Sequence, residues 1–283
     1  ASSRFAKGYR WGYFPSFSAG WRISEEDFME NTHGWLQSLK LRGSWGLLGN
    51  QDAVSDEYYP YLPTLYIGKN FPFGGSVHQG ITVVSHKVTT ISWENSTNWG
   101  IGFDANFLNE FMLSAEYYNR KTSDIIMDIP VSDTFGISGT YQDNKGSLRN
   151  SGVEASFAWN HSFNKDWRMG INANFSYNKN ELLKMNDALL AYNDVQDKNT
   201  MESGNRKPII RYQEGLSINT IWANESLGID PNTGSEIFLN LDNEKVTAWS
   251  VKNYKPLGCT DPKVRGNFGT VLYYKNFSLN AYF

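Results

Sequence analysis

Apolar and polar residues alternate with a period of two over roughly ten residues at a time, and the rhythm returns down the whole chain. Trp99, Ile101, Phe103, Ala105 and Phe107 fall on one side of an extended backbone, with Gly100, Gly102, Asp104 and Asn106 on the other. After a short turn the pattern resumes as Phe111, Leu113, Ala115 and Tyr117 opposite Ser114, Glu116, Tyr118 and Arg120. The same reading gives a strand around Val153 to Asn160 and another from Trp167 to Tyr177, joined by the turn Phe163 to Asp166. Upstream, Tyr13 to Ile23 and Leu39 to Leu47 alternate, the first weakened by Pro15, which has no N–H to give a neighbouring strand. Phe268 to Tyr274 and Phe277 to Phe283 close the series through Lys275 and Asn276. Eight segments fit well, and two more, Ile209 to Trp222 and Glu236 to Leu241, fit less well.

Segment length and spacing turn these strands into an architecture. Strands in soluble proteins average about 5 to 6 residues, whereas a strand crossing a bilayer at a tilt needs about 9 to 11. Connections are short after Phe107, Trp159 and Tyr274, and long from Leu48 to Thr90, Met127 to Leu148 and Lys179 to Pro208. Short turns at one end and long loops at the other mark an outer-membrane barrel. The stretch Ser24 to Glu30 breaks the alternation, and its acidic Glu25, Glu26 and Asp27 after Ser24 predict one short helix on a short-loop side. Trp99, Trp159, Trp167, Tyr177 and Tyr274 stand near strand ends, where interfacial girdles lie. The expected fold is an all-β, antiparallel, up-and-down transmembrane barrel segment of about ten strands. A soluble β-sandwich, which also alternates, is the rival arrangement.

Composition narrows the class further. Aromatics reach 15% while hydrophobic residues are only 40%, which is foreign to disordered chains, and no apolar run of about 18 residues offers a helical span. A formal charge of −3, from 26 basic and 29 acidic side chains, argues against a surface for nucleic acid. The single Cys259 makes neither an intrachain disulfide nor a cysteine zinc site. Ala1 to Trp11 has no signal-peptide core, Ser2 to Arg10 reads as the tail of a loop, and Phe283 falls mid-pattern, so a piece of a longer chain is expected.

Three stretches, GYFPSFSAGWRISEE at Gly12 to Glu26, LKLRGSWGLLGNQ at Leu39 to Gln51 and WENSTNWGIGFD at Trp93 to Asp104, resemble the barrel of TonB-dependent outer-membrane transporters of the SusC/RagA type. GSLRNSGVE at Gly146 to Glu154, GIDPNTG at Gly228 to Gly234 and DPKV at Asp261 to Val264 extend the resemblance over nearly the whole chain. The resemblance implies a barrel of about 22 strands with an N-terminal plug. It further implies nutrient import driven through TonB and a SusD-like surface lipoprotein acting as a lid. On that basis residues 1–283 are part of one barrel domain, with the plug, the TonB-contacting region and the remaining strands outside this chain.

A lumen of that girth is too wide for its own side chains to fill, so polar groups on its wall stay wet. Lys40, Arg42, Glu116, Arg120, Glu154 and Arg168 are the candidates there, to meet a plug or a solute. In the loop after Asn50, Gln51, Asp52, Tyr58, Tyr59 and Tyr61 mix aromatic and hydrogen-bonding groups suited to sugar rings or peptides, although the same rings would serve to fold the loop on itself or to meet the lid. No catalytic signature emerges: His33, His78, His86 and His161 are scattered, and none has the i, i+4 partner of a zinc protease. Asp230, Asn232, Gly234 and Glu236 share the spacing of a calcium loop, but Leu241 stands where its closing Glu belongs, and a Pro-Asn-Thr-Gly turn accounts for them more simply. The expected role is gated import of oligosaccharide or peptide across an outer membrane, without cofactor or metal. A non-transporting adhesin and a soluble carbohydrate-binding sandwich are the alternatives.

Overall fold

The computed structural model describes all residues of the chain apart from 53, 55–58, 64, 84–86, 131–139 and 205. Its strands, in chain order, begin with β1 Ser16–Arg22, β2 Leu36–Asn50, β3 Leu65–Phe73, β4 Ser76–Val83, β5 Glu94–Phe107, β6 Phe111–Pro130, β7 Thr140–Ser162 and β8 Trp167–Lys184. The helix α1, Asp187–Glu202, comes next. The chain then makes β9 Ile209–Ile210, β10 Thr220–Ala223, β11 Glu225–Ile229, β12 Glu236–Leu239, β13 Lys245–Val246, β14 Lys255–Cys259, β15 Val264–Tyr274 and β16 Phe277–Tyr282.

One antiparallel sheet of eight strands, in the order β1-β2-β5-β6-β7-β8-β15-β16, dominates the structure. Its members are the eight segments whose alternation is clean in the sequence. The ten expected strands reduce to eight because the two weaker segments lie in small separate sheets, β14-β10-β9 and β11-β12-β13. Pairings Leu36↔Phe107, Phe111↔Trp159 and Trp167↔Tyr274 bring the connections 23–35, 108–110, 163–166 and 275–276 to one end of the sheet. The connections 51–93 and 185–263 leave from the other end, where β6 ends at Pro130 and β7 begins at Thr140. The sheet remains open, with β1 and β16 each paired on one side only.

Register aligns the alternation of neighbouring strands, so that each face of the sheet has one character. Gly20, Arg42, Gly102, Glu116, Glu154, Ser176 and Arg265 are direct partners in a row across seven strands. One residue further, on the opposite face, the row reads Trp21, Leu41, Phe103, Ala115, Ala155 and Phe175. A single-residue slip would exchange the two, which is why two unlike solvents fix register strongly. The apolar face is uncovered: Ile101 is 61% exposed, Phe268 54% and Leu279 66%, and among the described residues no second sheet packs on it. That excludes the sandwich. Aromatic rows border this face, Phe17, Trp45 and Trp99 towards the long-loop end and Phe107, Phe111 and Trp159 towards the other. They lie roughly 27 Å apart along β5 at about 3.4 Å per residue, the scale of an outer-membrane apolar band.

Several expectations for the connections change. The stretch 48–90 contains the hairpin β3–β4, and 127–148 is mostly strand, since β6 and β7 stay paired out to Pro130↔Thr140. The stretch 179–208 holds the end of β8 and α1. The short helix expected after Ser24 is a pair of 3-10 turns, Ile23–Glu25 and Asp27–Thr32, neither capped by a side chain. Strand β1 begins at Ser16, and Pro15 contributes only its carbonyl, which accepts from Leu47 N–H at 2.9 Å. Buried apolar residues gather in three small cores at the long-loop end, around Phe5, Leu182 and Trp222.

Candidate functional site

On the polar face, Arg42 of β2 is the centre of a charged network. Its Nη1 donates to Glu116 Oε2, its Nε lies 3.3 Å from Asp104 Oδ2, and its Nη2 donates to Ser114 Oγ at 3.4 Å. Ser114 Oγ donates in turn to Asp104 Oδ1 at 2.7 Å. Arg42 and Glu116 stand on strands two apart, and the residue between them is Gly102. The same device recurs outward: Tyr118 Oη donates to Asn178 Oδ1 at 3.0 Å over Gly152. A missing side chain on the middle strand lets longer ones on its neighbours meet above it.

These groups line a continuous trough. A recess of about 330 Å³ is bounded by Arg42, Glu116, Glu154, Asn174, Arg265 and Asn267. It shares Glu154, Ser176 and Arg265 with a larger recess of about 640 Å³, roofed by the loop residues Ser217, Cys259, Asp261 and Lys263. A third recess of about 460 Å³, reaching Arg120 and Asn150, shares Tyr118, Glu154 and Asn178 with the second. Their sizes fall in the range of small-molecule sites. The side chains of Glu154 and Arg265 carry no hydrogen bond or ion pair among the described residues, so the centre of the trough presents one anionic and one cationic group without a side-chain partner.

The loop end above the trough is built as a body in its own right. Phe5, at 0% exposure, packs with Val54, Ile91 and Ile126 and lies 5.3 Å, ring to ring, from Trp93. Glu94 is buried, accepting from Ile126 N–H at 2.9 Å and from the Asn50 amide at 2.7 Å. Asn144 clamps Ser92 through both its N–H and C=O. On the far side Trp222, Val251 and Tyr254 form a core, with Asp197 of α1 3.1 Å from Arg211. Burial there holds the Asp197 carboxyl above its ordinary value, the Arg211 charge opposing it. Around Asp230 the backbone turns: Asp230 accepts from Asn232 N–H at 2.9 Å and Thr233 Oγ1 at 3.0 Å, which draws its carboxyl below the usual range. This is the Pro-Asn-Thr-Gly turn, its own donors filling the carboxylate.

All six wall candidates, Lys40, Arg42, Glu116, Arg120, Glu154 and Arg168, fall on the polar face. Arg42, Glu116, Arg120 and Glu154 line the trough recesses, and Lys40 a neighbouring one beside β1. Arg168 stands apart, its guanidinium 5.0 Å above the Tyr273 ring. Of the loop candidates, Tyr59 and Tyr61 meet edge to face at 6.3 Å, and Tyr61 Oη accepts from Arg10 at 3.4 Å. Asp52 is exposed and Gln51 half-buried at the end of β2, neither lining the trough recesses, and Tyr58 lies outside the described residues. Asp104, Tyr118, Asn178 and Arg265 were not singled out as site residues. Parity carried further back along the same strand, from Phe268 to Val264, would have found Arg265.

Long antiparallel strands, an uncovered apolar face between aromatic rows, a polar face under folded loops, and turns short at one end define the wall of an outer-membrane β-barrel. The chain belongs to the family described as TonB dependent receptor-like, beta-barrel, which matches residues 1–282, and it is an outer-membrane protein. It is 34% identical over 230 residues to the TonB-dependent receptor SusC of Bacteroides thetaiotaomicron, covering 78% of this chain and 22% of that protein. It is 28% identical over 298 residues to the TonB-dependent receptor P3 of Formosa agariphila, covering 100% of this chain and 29% of that one. The solved structure of the RagAB peptide transporter superposes with a TM-score of 0.77 at 25% identity, over 99% of this chain and 30% of that one. The chain therefore spans less than a third of the length of these relatives.

Proposed function

We propose that this wall belongs to an importer that carries oligosaccharides or peptides across the outer membrane. A SusD-like lipoprotein would close over the loop end, and TonB would act through a region outside these 283 residues. What supports this reading most is the trough, which runs without a break from beneath the loops to Arg42 on a wall whose other face suits lipid. Solute is captured first by the loops, including Asp52, Tyr59 and Tyr61, and moves along the trough once the lumen is opened from the periplasmic side. Polar wall groups suit passage because each can replace a solute's water contacts without holding it tightly. The free Glu154 and Arg265 give charged peptides a foothold that neutral sugars lack.

The test is uptake by the bacterium that encodes the protein, with labelled peptides and labelled oligosaccharides offered separately. Uptake of one class that stops on deletion of TonB, and weakens several-fold in E154Q/R265Q at unchanged surface level, is the expected result. Uptake indifferent both to the TonB deletion and to E154Q/R265Q would end the importer reading.

A further inference from the structure

Near the long-loop end, the bilayer-facing side of the wall changes from rings to cations. The row of Phe17, Trp45 and Trp99 continues across the next three strands as Asn119, Ser151 and Lys179. One pleat further towards the loops, about 7 Å along the strands, the same face carries Lys121, Arg149 and Glu181 as direct partners. Parity places all of them on the side of Tyr117, Val153 and Tyr177, which meets lipid. Arg149 Nη2 donates to Glu181 Oε2 at 2.6 Å, and Lys179 Nζ donates to the same oxygen at 3.3 Å. Lys121 is exposed, and its side chain has no partner among the described residues. Asp124, the next carboxylate along β6, is engaged by the Asn95 amide at 3.1 Å. Three cations therefore share the one carboxylate of Glu181, and Lys121 faces Arg149 across a single strand spacing, about 5 Å between Cα atoms. Like charges directly opposite each other destabilise a sheet unless an anion joins them, and the described residues supply none for Lys121.

We propose that Lys121 and Arg149 bind the phosphate of a phosphorylated glycolipid in the outer leaflet of the membrane. Register supplies the reach: two long side chains at directly opposing positions converge on one phosphate, and both residue types are cationic throughout the physiological range. Arg149 gives Nη2 to Glu181, and its Nε and Nη1 remain to donate to phosphate oxygens. One pleat below, the Asn119 amide and the Ser151 hydroxyl, also without side-chain partners among the described residues, extend the polar patch for the headgroup. Lower on the same two strands, Ala115 and Ala155 oppose each other between Phe103 and Phe175. Small side chains between two rings leave a furrow for an acyl chain, in line with the cations above it. Phosphate donors above the ring level and an apolar furrow below it fit a lipid, where a free phosphate ion would use the donors alone. The long-loop end is the outer side of such a barrel, so the lipid belongs to the outer leaflet. Glu181 fixes Arg149 and is a positioning residue here. The proposal depends on the membrane placement of the sheet and not on import.

The experiment is native mass spectrometry of the full-length protein, delipidated in mild detergent and titrated with monophosphoryl lipid A or with the same lipid after removal of its phosphate. Wild type should carry several-fold more of the phosphorylated lipid. K121Q, which removes a charge without breaking an internal contact, should lose most of that preference, K121Q/R149Q all of it, and K121R none. K275Q, in the short turn at the opposite end of the sheet, should match wild type. If the double variant does not assemble, K121Q alone supplies the comparison. Equal retention of the two lipids by wild type, equal retention of the phosphorylated lipid by wild type and K121Q, or a loss in K275Q as large as in K121Q would each overturn the site. Full displacement of the lipid by an equal concentration of inorganic phosphate would overturn the choice of a lipid as occupant. Solute uptake is not read, so failure of the import reading leaves this test intact.

Discussion

Arg42 and Glu116 form an ion pair across an intervening strand, above the bare backbone of Gly102. The pair exists because of what is missing beneath it. A Cβ at residue 102 would stand 2.6 Å from the Ala115 carbonyl oxygen and 3.2 Å from the Glu116 Cα and Cβ. Glycine thus looks unproductive in a strand until its neighbours two strands apart are considered together.

Gly102→Val should therefore cost about 1–3 kcal/mol of stability through overpacking. Arg42→Met, which leaves Asp104 and Glu116 without their cation at about one-third to one-half exposure, should cost only about 1 kcal/mol. Unfolding of the full-length protein from lipid vesicles by urea, with E116Q added to complete a double-mutant cycle, reads both values.

Opposite faces should answer differently to charge. Phe103→Arg directs a cation into lipid and should impair assembly by about 2–4 kcal/mol near the midplane. Asp104→Asn stays in the wet network and should be tolerated, losing no more than the partly exposed pair with Arg42 contributes. Heat-modifiable migration on gels reports assembly of each. Equal damage from both would contradict the assignment of faces.

Glu94 ties three segments of the loop end together from a buried position. Its replacement by Ala strands the buried Ile126 N–H, at a cost of about 1–3 kcal/mol for an unsatisfied buried donor, and frees the exposed Asn50 amide to water. The loss should appear locally, as faster cleavage of loop 51–93 by protease added to intact cells, with the wall itself unaffected.

Acid should loosen the other end. Hydrogen bonds from Trp159 and then His161 hold the Glu110 carboxyl below the usual carboxylate range. A carboxyl so lowered contributes stability that is complete above its unfolded value of about 4.3 and disappears as pH falls through the folded value. The melting temperature of wild type should therefore decline below about pH 4.5 more steeply than that of E110Q, in parallel titrations.

How far the sequence discloses this structure follows from the solvent each part meets. Phe103 and Asp104 lie between lipid and water, so their strand must alternate, and the eight wall strands were legible for that reason. The hairpin β3–β4 was not, because it meets similar surroundings on both sides: Leu65, Tyr66 and Ile67 run consecutively and all three are more than half exposed. The ends of β6 and β7 beyond Ser123 lose the rhythm as they leave the apolar band, although their pairing continues with bulges. Among the site residues, Arg42 and Glu116 could be placed on one face by parity. That they touch required the register, and the register gives Gly102 its meaning.

The row from Gly20 to Arg265 has an evolutionary corollary. Removing or adding one residue within any of its strands would swing every side chain beyond that point to the wrong solvent. Length variation in the wall must come in steps of two or be absorbed by a bulge, whereas the connections 51–93 and 185–263 are under no such parity rule. New specificities can accordingly arise by rewriting the open end while the staves beneath keep their count.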